Sequence, residues 1–169
     1  MKITTLLVVS LLTLSLTGTA ATFERSKTVK SVSLSKVLAA WKNASDGQED
    51  AGWSAAKIAE KKDSEKWEHT VKQFLHTQGD AENVSATKKS LESLDSLKAV
   101  RELVSQHSMA EDLKKSKEEK ELVAALDGLN GNKLVFVGQV SGDAFSYEHL
   151  TFIDVTRMEI LSLYAGVSD

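Results

Sequence analysis

The chain has 169 residues, a formal net charge of −3, and a composition that is 41% hydrophobic but only 6% aromatic. A mildly acidic chain lacks the concentrated basic face that binds nucleic acid, and so few aromatic residues provide little surface for base stacking. Cysteine is absent, which excludes disulfides and thiol nucleophiles, and proline is absent, which favours uninterrupted helices. We therefore expect no nucleic-acid partner and a fold that is held together by its core alone.

The beginning of the chain has the pattern of a secretory signal peptide. Lys2 is followed by an apolar stretch over residues 3–16 and then by small residues up to Ala21. A basic residue, an apolar stretch and a small-residue cleavage site in this order are typical of a cleavable signal. The apolar stretch is shorter than the ~20 residues of a membrane-spanning helix. The sequence therefore predicts an exported protein that is cleaved near Ala21.

The predicted mature chain, residues 22–169, is expected to form a single domain without a stable membrane anchor. Thr19 stands where a bacterial lipoprotein signal would need an acylated Cys, so we expect no lipid anchor. A cysteine-free exported chain favours the bacterial periplasm, although secretion is also compatible, because small secreted eukaryotic domains often depend on disulfides. Glycosylation triplets at Asn43 and Asn83 point weakly the other way, and the sequence does not decide whether they are used.

The sequence pattern in the first half of the predicted domain leaves part of its secondary structure open. Ser33 or Ser35 is expected to cap a helix that runs through Trp41. Residues 53–78 fit a helix, because the apolar residues recur at helical spacing in their second half. They also fit a β-hairpin that turns at residues 62–64, which would enlarge the sheet to four or five strands in a two-layer sandwich.

The middle of the chain is dense in Lys, Glu, Ala and Leu, and it predicts helices. A triplet repeat of Ser, Leu and a charged residue lies within residues 85–107, where the leucines would spiral around a helix that contacts more than one neighbour. Ser108 and Glu111 match a capping box that opens a further helix. The second half of that helix is amphipathic, with a shared apolar face formed by Leu122, Val123, Leu126 and Leu129.

The C-terminal part predicts a strand, a second strand and a helix. Residues 133–137 are a continuous apolar β-prone run, and residues 144–155 form the return strand after a turn. Thr156 and Glu159 match another capping box, with Gly166 as the C-cap of the final helix. We therefore predict an α+β fold of three to four helices packed on a small antiparallel sheet, with a C-terminal strand-strand-helix unit.

Catalytic and metal-binding motifs are not found in the sequence. His69 and His76 are seven residues apart, so on one helix they are about 10.5 Å apart along the axis and cannot share a metal ion. His149 lies near Glu148 and Asp154 in sequence, and a hydrolase would need these three groups in one pocket. We expect no cofactor, no metal site and no catalytic residue.

The three tryptophans are the candidate binding residues, because Trp is favoured at interface hot spots. These residues are Trp41, Trp53 and Trp67. The sequence thus predicts an exported, non-enzymatic binding or inhibitor-like module whose partner is another exported protein. The alternatives are a hydrolase with acid and base groups around His149, or a helical structural or envelope-stress protein.

Overall fold

The computed structural model describes residues 21–90 and 117–166, except for residues 48, 64, 80, 130 and 131. The strands and helices, in chain order, are β1 (Thr22–Arg25), α1 (Val32–Ala44), β2 (Ala51–Glu60), α2 (Trp67–His76), β3 (Asn83–Lys89), α3 (Lys117–Asp127), β4 (Lys133–Gly142), β5 (Phe145–Asp154) and β6 (Glu159–Gly166).

All six described strands belong to one antiparallel sheet with the order β1-β2-β6-β5-β4-β3. The last three strands form a meander, and β6 then lies between β5 and the much earlier β2. The most central strands of the sheet therefore come from the C-terminal part of the chain.

Helices cover both faces of the sheet. On the first face, α1 and α3 pack against alternate residues of the central strands, with Trp41, Leu122, Phe152 and Leu161 in the buried cluster. On the second face, α2 packs through Val71, Phe74 and Leu75 against Phe136, Ile153 and Ile160. Because successive strand residues point to opposite faces, each central strand supplies both clusters.

The predicted fold class is wrong in its proportions. The prediction placed three to four helices on a small antiparallel sheet, whereas the described residues contain three helices and a six-stranded sheet, so the protein is mostly sheet with a few helices. The C-terminal strand-strand-helix unit is also wrong. Residues 159–166 form the strand β6, which pairs with β5 on one side and with β2 on the other.

A buried central strand explains that error. Both faces of β6 are covered, and its first five residues are all buried, so its sequence shows no polar alternation. A short apolar run of this kind cannot be distinguished from a buried helix by its periodicity. The side chain of Glu159, which had suggested a capping box, instead accepts hydrogen bonds from the backbone N–H groups of Lys30 (3.0 Å) and Ser31 (2.7 Å).

Residues 53–78 contain one strand and one helix, so neither predicted alternative holds for the whole segment. The helix predicted from its second half is present as α2. The first half lies in β2, which pairs with β1 and β6 rather than with residues 70–77. Helix α1 is preceded by Ser31 as the N-cap residue, not by Ser33 or Ser35 as the sequence had suggested.

Only part of the segment that was predicted to be helical in the middle of the chain belongs to the described residues. Residues 85–89 lie in strand β3, which contradicts a helix at the start of the 85–107 segment. The amphipathic helix ending near Asp127 is confirmed as α3. Most of the triplet repeat and the capping box at Ser108 lie outside the described residues. None of the described helices has the length and apolar character needed to span a membrane.

Candidate functional site

A small cavity lies on the second face of the sheet, beyond the C-terminal end of α2. It has a volume of about 230 Å³. Strands β4, β5 and β6 provide its floor, and the two residues that follow Thr77 provide part of its wall. The residues that line the cavity are Gln78, Gly79, Val140, Phe145, Tyr147, His149 and Tyr164.

Each ring in the cavity faces a glycine on a neighbouring strand. Three of these cross-strand pairs are Phe145 with Gly142, Tyr147 with Gly166, and His149 with Gly138; the fourth pairs Tyr164 with Gly52. A glycine leaves free the space that a side chain would fill, so a large ring on the next strand can lie across it. A Cβ atom on Gly52 would collide with the ring of Tyr164, and one on Gly166 would lie 3.3 Å from the ring of Tyr147, so these two rings depend on the glycines opposite them.

The four rings form a continuous row of contacts. Phe145 and Tyr147 have their centroids 5.7 Å apart, and Tyr147 meets Tyr164 edge-on at 5.6 Å. Tyr164 in turn lies 5.4 Å from the imidazole of His149. These distances fall in the range at which tilted and edge-on ring pairs attract one another. The row is thus a pre-formed aromatic surface, not a set of independent side chains.

His149 brings a polar group to this surface. Its side chain is 3% exposed, and its Nδ1 atom lies 2.9 Å from the Ser162 hydroxyl oxygen. That oxygen also lies 2.9 Å from the hydroxyl of Thr151. Burial lowers the pKa of His149 from 6.5 to about 4, because a charged imidazolium loses its hydration there. The imidazole is therefore neutral at physiological pH.

Tyr164 is also held in its neutral form. Burial raises the pKa of its phenol above the ordinary value, and the nearby phenol of Tyr147 raises it further. A phenol that stays protonated can donate its hydrogen to a ligand. The cavity thus combines aromatic faces with uncharged polar groups.

The three groups required by the predicted hydrolase are not brought together. Glu148 and Asp154 point to the opposite face of the sheet from His149, because successive residues of a strand alternate between the two faces and both lie an odd number of residues from His149. Asp154 forms a buried ion pair with Lys133 at 2.9 Å. Burial alone would raise the pKa of Asp154, but hydrogen bonds from Ser31, Lys133 and Arg157 hold it below its usual value.

Ser162 is close to His149 but does not have the geometry of a catalytic nucleophile. Its side chain is 0% exposed, so its hydroxyl cannot reach a substrate. Its hydroxyl oxygen is shared between Thr151 and His149 within the layer of side chains. The Ser–His contact therefore orients the imidazole and gives no support to hydrolysis.

The predicted binding tryptophans are divided between the two faces of the sheet: Trp41 and Trp53 pack in the cluster on the first face, and Trp67 packs against the cluster on the second. Trp41 is 1% exposed in the core on the first face, and its indole N–H donates to the carbonyl of Gly52 at 2.8 Å. Trp53 and Trp67 are half-buried, and each ring lies under a lysine ammonium, at 4.4 Å from Lys42 and 4.5 Å from Lys61. The three rings form no common surface.

The remaining predicted residues lie at the surface of the described part of the chain. His69 and His76 are exposed on α2, and Asn43 and Asn83 are exposed on α1 and β3. Within the described residues, no group of three or more His, Cys, Asp or Glu side chains could hold a metal ion.

Of the residues that line the cavity, the sequence singled out only His149. The missing step was the assignment of residues 159–166. Once that segment is a strand, Tyr164 becomes a cross-strand neighbour of His149. The sequence feature that could have revealed the cavity is the set of glycines within strand segments. A glycine inside a strand often marks a place where another group approaches closely.

Comparisons with known proteins identify no relative: no protein family, no curated protein and no solved structure matches the chain.

Proposed function

We propose that this protein is an exported, non-enzymatic binding module, and that the cavity between Gln78 and the ring row binds a small aromatic compound. The observation that carries the proposal is the continuous row of four rings, each seated opposite a glycine. Ligand sites are usually pre-formed, mostly apolar and aromatic, with a few placed polar groups, and this cavity has that composition.

The size of the cavity limits the ligand. An apolar protein cavity of about 150 Å³ accommodates benzene. The cavity here measures about 230 Å³, so it suits a compound of one or two rings. Because the ring planes of Tyr147 and Tyr164 are inclined at 78°, a flat ligand ring that stacks on one of them meets the other edge-on.

A second depression of the surface supports a binding role less well. It is larger, at about 450 Å³, and it is lined by charged residues of both signs. The buried acid among them, Glu159, is already paired with two backbone N–H groups. The positive side chains that remain are Arg25, Lys30, Lys57 and Arg157, all exposed.

The export part of the proposal rests on the residue pattern of positions 1–21 alone. Fractionation of cells that express the full chain tests it. A processed protein outside the cytoplasm is the expected result, and an unprocessed cytoplasmic protein would contradict it. Another exported protein as the partner stays a prediction, which a pull-down from the same compartment tests.

Ligand-observed NMR with a library of one- and two-ring aromatic compounds tests the binding site. We expect saturation transfer to several compounds with the wild-type protein and a strong loss with Tyr164→Ala. Trp67→Ala is the matched control, because it removes another half-buried ring, at the far end of α2 from the cavity. Absence of binding, or equal losses in both variants, would contradict the proposed site.

A further inference from the structure

We infer that the ligand carries a hydrogen-bond acceptor and no charge, and that the acceptor receives the Nε2–H hydrogen of His149. This inference rests on the proposed binding function and names the chemical class of the ligand. It follows from the chain of hydrogen bonds behind the ring row, which determines the nitrogen of the imidazole that carries the hydrogen.

Three buried groups form that chain: Thr151, Ser162 and His149. Thr151 and Ser162 are 1% and 0% exposed, and the Ser162 oxygen lies 2.9 Å from both of its partners. Among the described residues, the Thr151 hydroxyl has no other hydrogen-bond partner, and neither has the Ser162 hydroxyl. The direction of donation must therefore be settled within these three groups.

Only one direction uses every hydroxyl hydrogen. If Thr151 donates to Ser162, Ser162 can donate to Nδ1 of His149, and both hydroxyl hydrogens are bonded. If the imidazole donates to Ser162 instead, either the Thr151 or the Ser162 hydroxyl hydrogen is left buried without an acceptor, which is unfavourable. The first arrangement leaves Nδ1 as an acceptor, so a neutral imidazole carries its hydrogen on Nε2.

The Nε2 atom is available to a ligand. It has no hydrogen-bond partner among the described residues, and His149 is one of the side chains that line the cavity. A ligand without an acceptor would cover this N–H group and leave it unpaired. A ligand with a suitably placed carbonyl oxygen would satisfy it.

The surroundings favour a ligand without charge. None of the residues that line the cavity is Lys, Arg, Asp or Glu. Moving an ion from water into such a site is costly when no opposite charge is present. An aromatic ketone, amide or related neutral carbonyl compound therefore fits better than a carboxylate.

The first experiment determines the tautomer in the ligand-free protein. Long-range ¹H–¹⁵N correlation spectra of histidine-labelled protein distinguish the two forms, and we expect His149 to be protonated at Nε2. Ser162→Ala should release this preference, so that the pattern of His149 changes. Ser54→Ala is the matched control: Ser54 is the cross-strand neighbour of Ser162, and its buried hydroxyl has no partner among the described residues.

The second experiment compares probes of nearly equal shape. Acetophenone carries a carbonyl oxygen where α-methylstyrene carries a methylene group, and benzoate carries a charged acceptor. We expect acetophenone to bind about tenfold more tightly than α-methylstyrene, which corresponds to one satisfied hydrogen bond. We expect benzoate to bind more weakly than acetophenone at pH 7.

The outcomes separate the inference from the proposed function. An imidazole protonated at Nδ1, or equal affinity for acetophenone and α-methylstyrene, overturns the inference while aromatic binding still stands. Failure of every aromatic probe to bind overturns the proposed function and the inference with it, even if the tautomer is as expected. The inference is supported by Nε2 protonation together with preference for the neutral carbonyl probe.

Discussion

The ring of Tyr164 occupies the space directly over Gly52, its partner across the β2–β6 pair. A Cβ atom on Gly52 would lie 2.6 Å from the Cζ atom of that ring, which is too close for two carbon atoms. The position of the ring therefore depends on the missing side chain. The same residue, Gly52, accepts the indole hydrogen of Trp41 through its carbonyl, so it joins the cavity to the core on the other face.

Replacement of Gly52 by alanine should disturb the cavity more than the fold. The new methyl group pushes the end of the Tyr164 side chain aside, and that end can move. We expect about 1 kcal/mol of lost stability, at the low end of the cost of overpacking. Affinity for aromatic probes should fall about tenfold, as a displaced stacking face can cost on the order of 1 kcal/mol. Urea unfolding and NMR titration measure the two effects.

Gly128→Ala is the control for that variant. A Cβ atom there would meet only the carbonyl oxygen of Ala124 at 3.4 Å and that of Ala125 at 3.5 Å, which are ordinary contacts. Both stability and probe affinity should stay near wild type. Equal losses of affinity in the two variants would show that Gly52 has no specific role at the ring.

Replacement of Gly138 by alanine should damage the fold itself. Its Cβ atom would collide with the backbone oxygen of Ser85 on β3, and a backbone atom cannot move aside as a side chain does. Relief of the clash requires β3 and β4 to separate locally. We expect a loss of about 3 kcal/mol, at the upper end of overpacking costs. Chemical denaturation measures it, and a loss below that of Gly52→Ala would contradict the prediction.

The stability of the protein should fall between about pH 6.5 and pH 4 because of His149. In the folded protein its pKa is about 4, and in the unfolded chain it returns to 6.5. Between these values the unfolded chain binds a proton that the folded protein does not, so acid favours unfolding. The uptake of this proton lowers the free energy of unfolding by about 3 kcal/mol at pH 4 relative to pH 7. The lowered pKa of Asp154 acts only below its usual value of 3.8.

Urea unfolding at several pH values measures this dependence. His149→Asn removes the titrating group while keeping an amide that can bond to Ser162. That variant should be less stable at pH 7, but its stability should change much less between pH 7 and pH 4.5. An unchanged slope in His149→Asn would assign the pH dependence to other groups.

Loss of the Glu159 carboxylate should destabilise the residues that immediately precede α1. The carboxylate is 8% exposed, and it accepts the backbone N–H groups of Lys30 and Ser31. Glu159→Ala leaves both donors without this partner, and we expect a loss of about 2 kcal/mol. Glu159→Gln keeps one acceptor oxygen and should lose about half as much. Hydrogen exchange should increase most at residues 30 and 31, and protection unchanged there would contradict the assignment.

The processed protein should begin at Ala21. The sequence placed the cleavage near Ala21, but Ala21 is 7% exposed and its backbone N–H donates to the Gln73 side chain at 2.8 Å. Residue 21 is thus part of the packed structure, which favours cleavage after Ala20. The intact mass of the exported protein distinguishes the two sites by one alanine. A chain that begins at Thr22 would contradict this prediction.

Local patterns in the sequence were sufficient for several elements. The β4–β5 hairpin is confirmed because a continuous apolar run and a Ser-Gly-Asp turn are both short-range signals. Helices α2 and α3 are confirmed because each buries one stripe at helical spacing. In these elements, the residues that specify the structure are close together in the chain.

The errors arose where the structure depends on distant residues. Strand β6 is buried by α1 on one face and lies between β5 and β2, and nothing near residue 160 indicates this. The turn before it contains Met158 with a φ of 51°, a conformation usually associated with Gly or Asn, so no turn signal was visible. The cavity was missed for the same reason, since the pairing of Tyr164 with His149 exists only if β6 is a strand.

The position of β6 in the sheet also limits the order in which the chain can fold. Among the described strands, β2 has only β1 and β6 as neighbours, so its pairing with β6 waits for residues about a hundred positions further along. Non-local pairings of this kind form slowly, because a long loop must close before they contribute. A ribosome-bound or partly translocated chain cannot complete the sheet before β6 emerges. Until residues 159–166 are available, β2 lacks its β6 neighbour, and the two halves of the sheet cannot join.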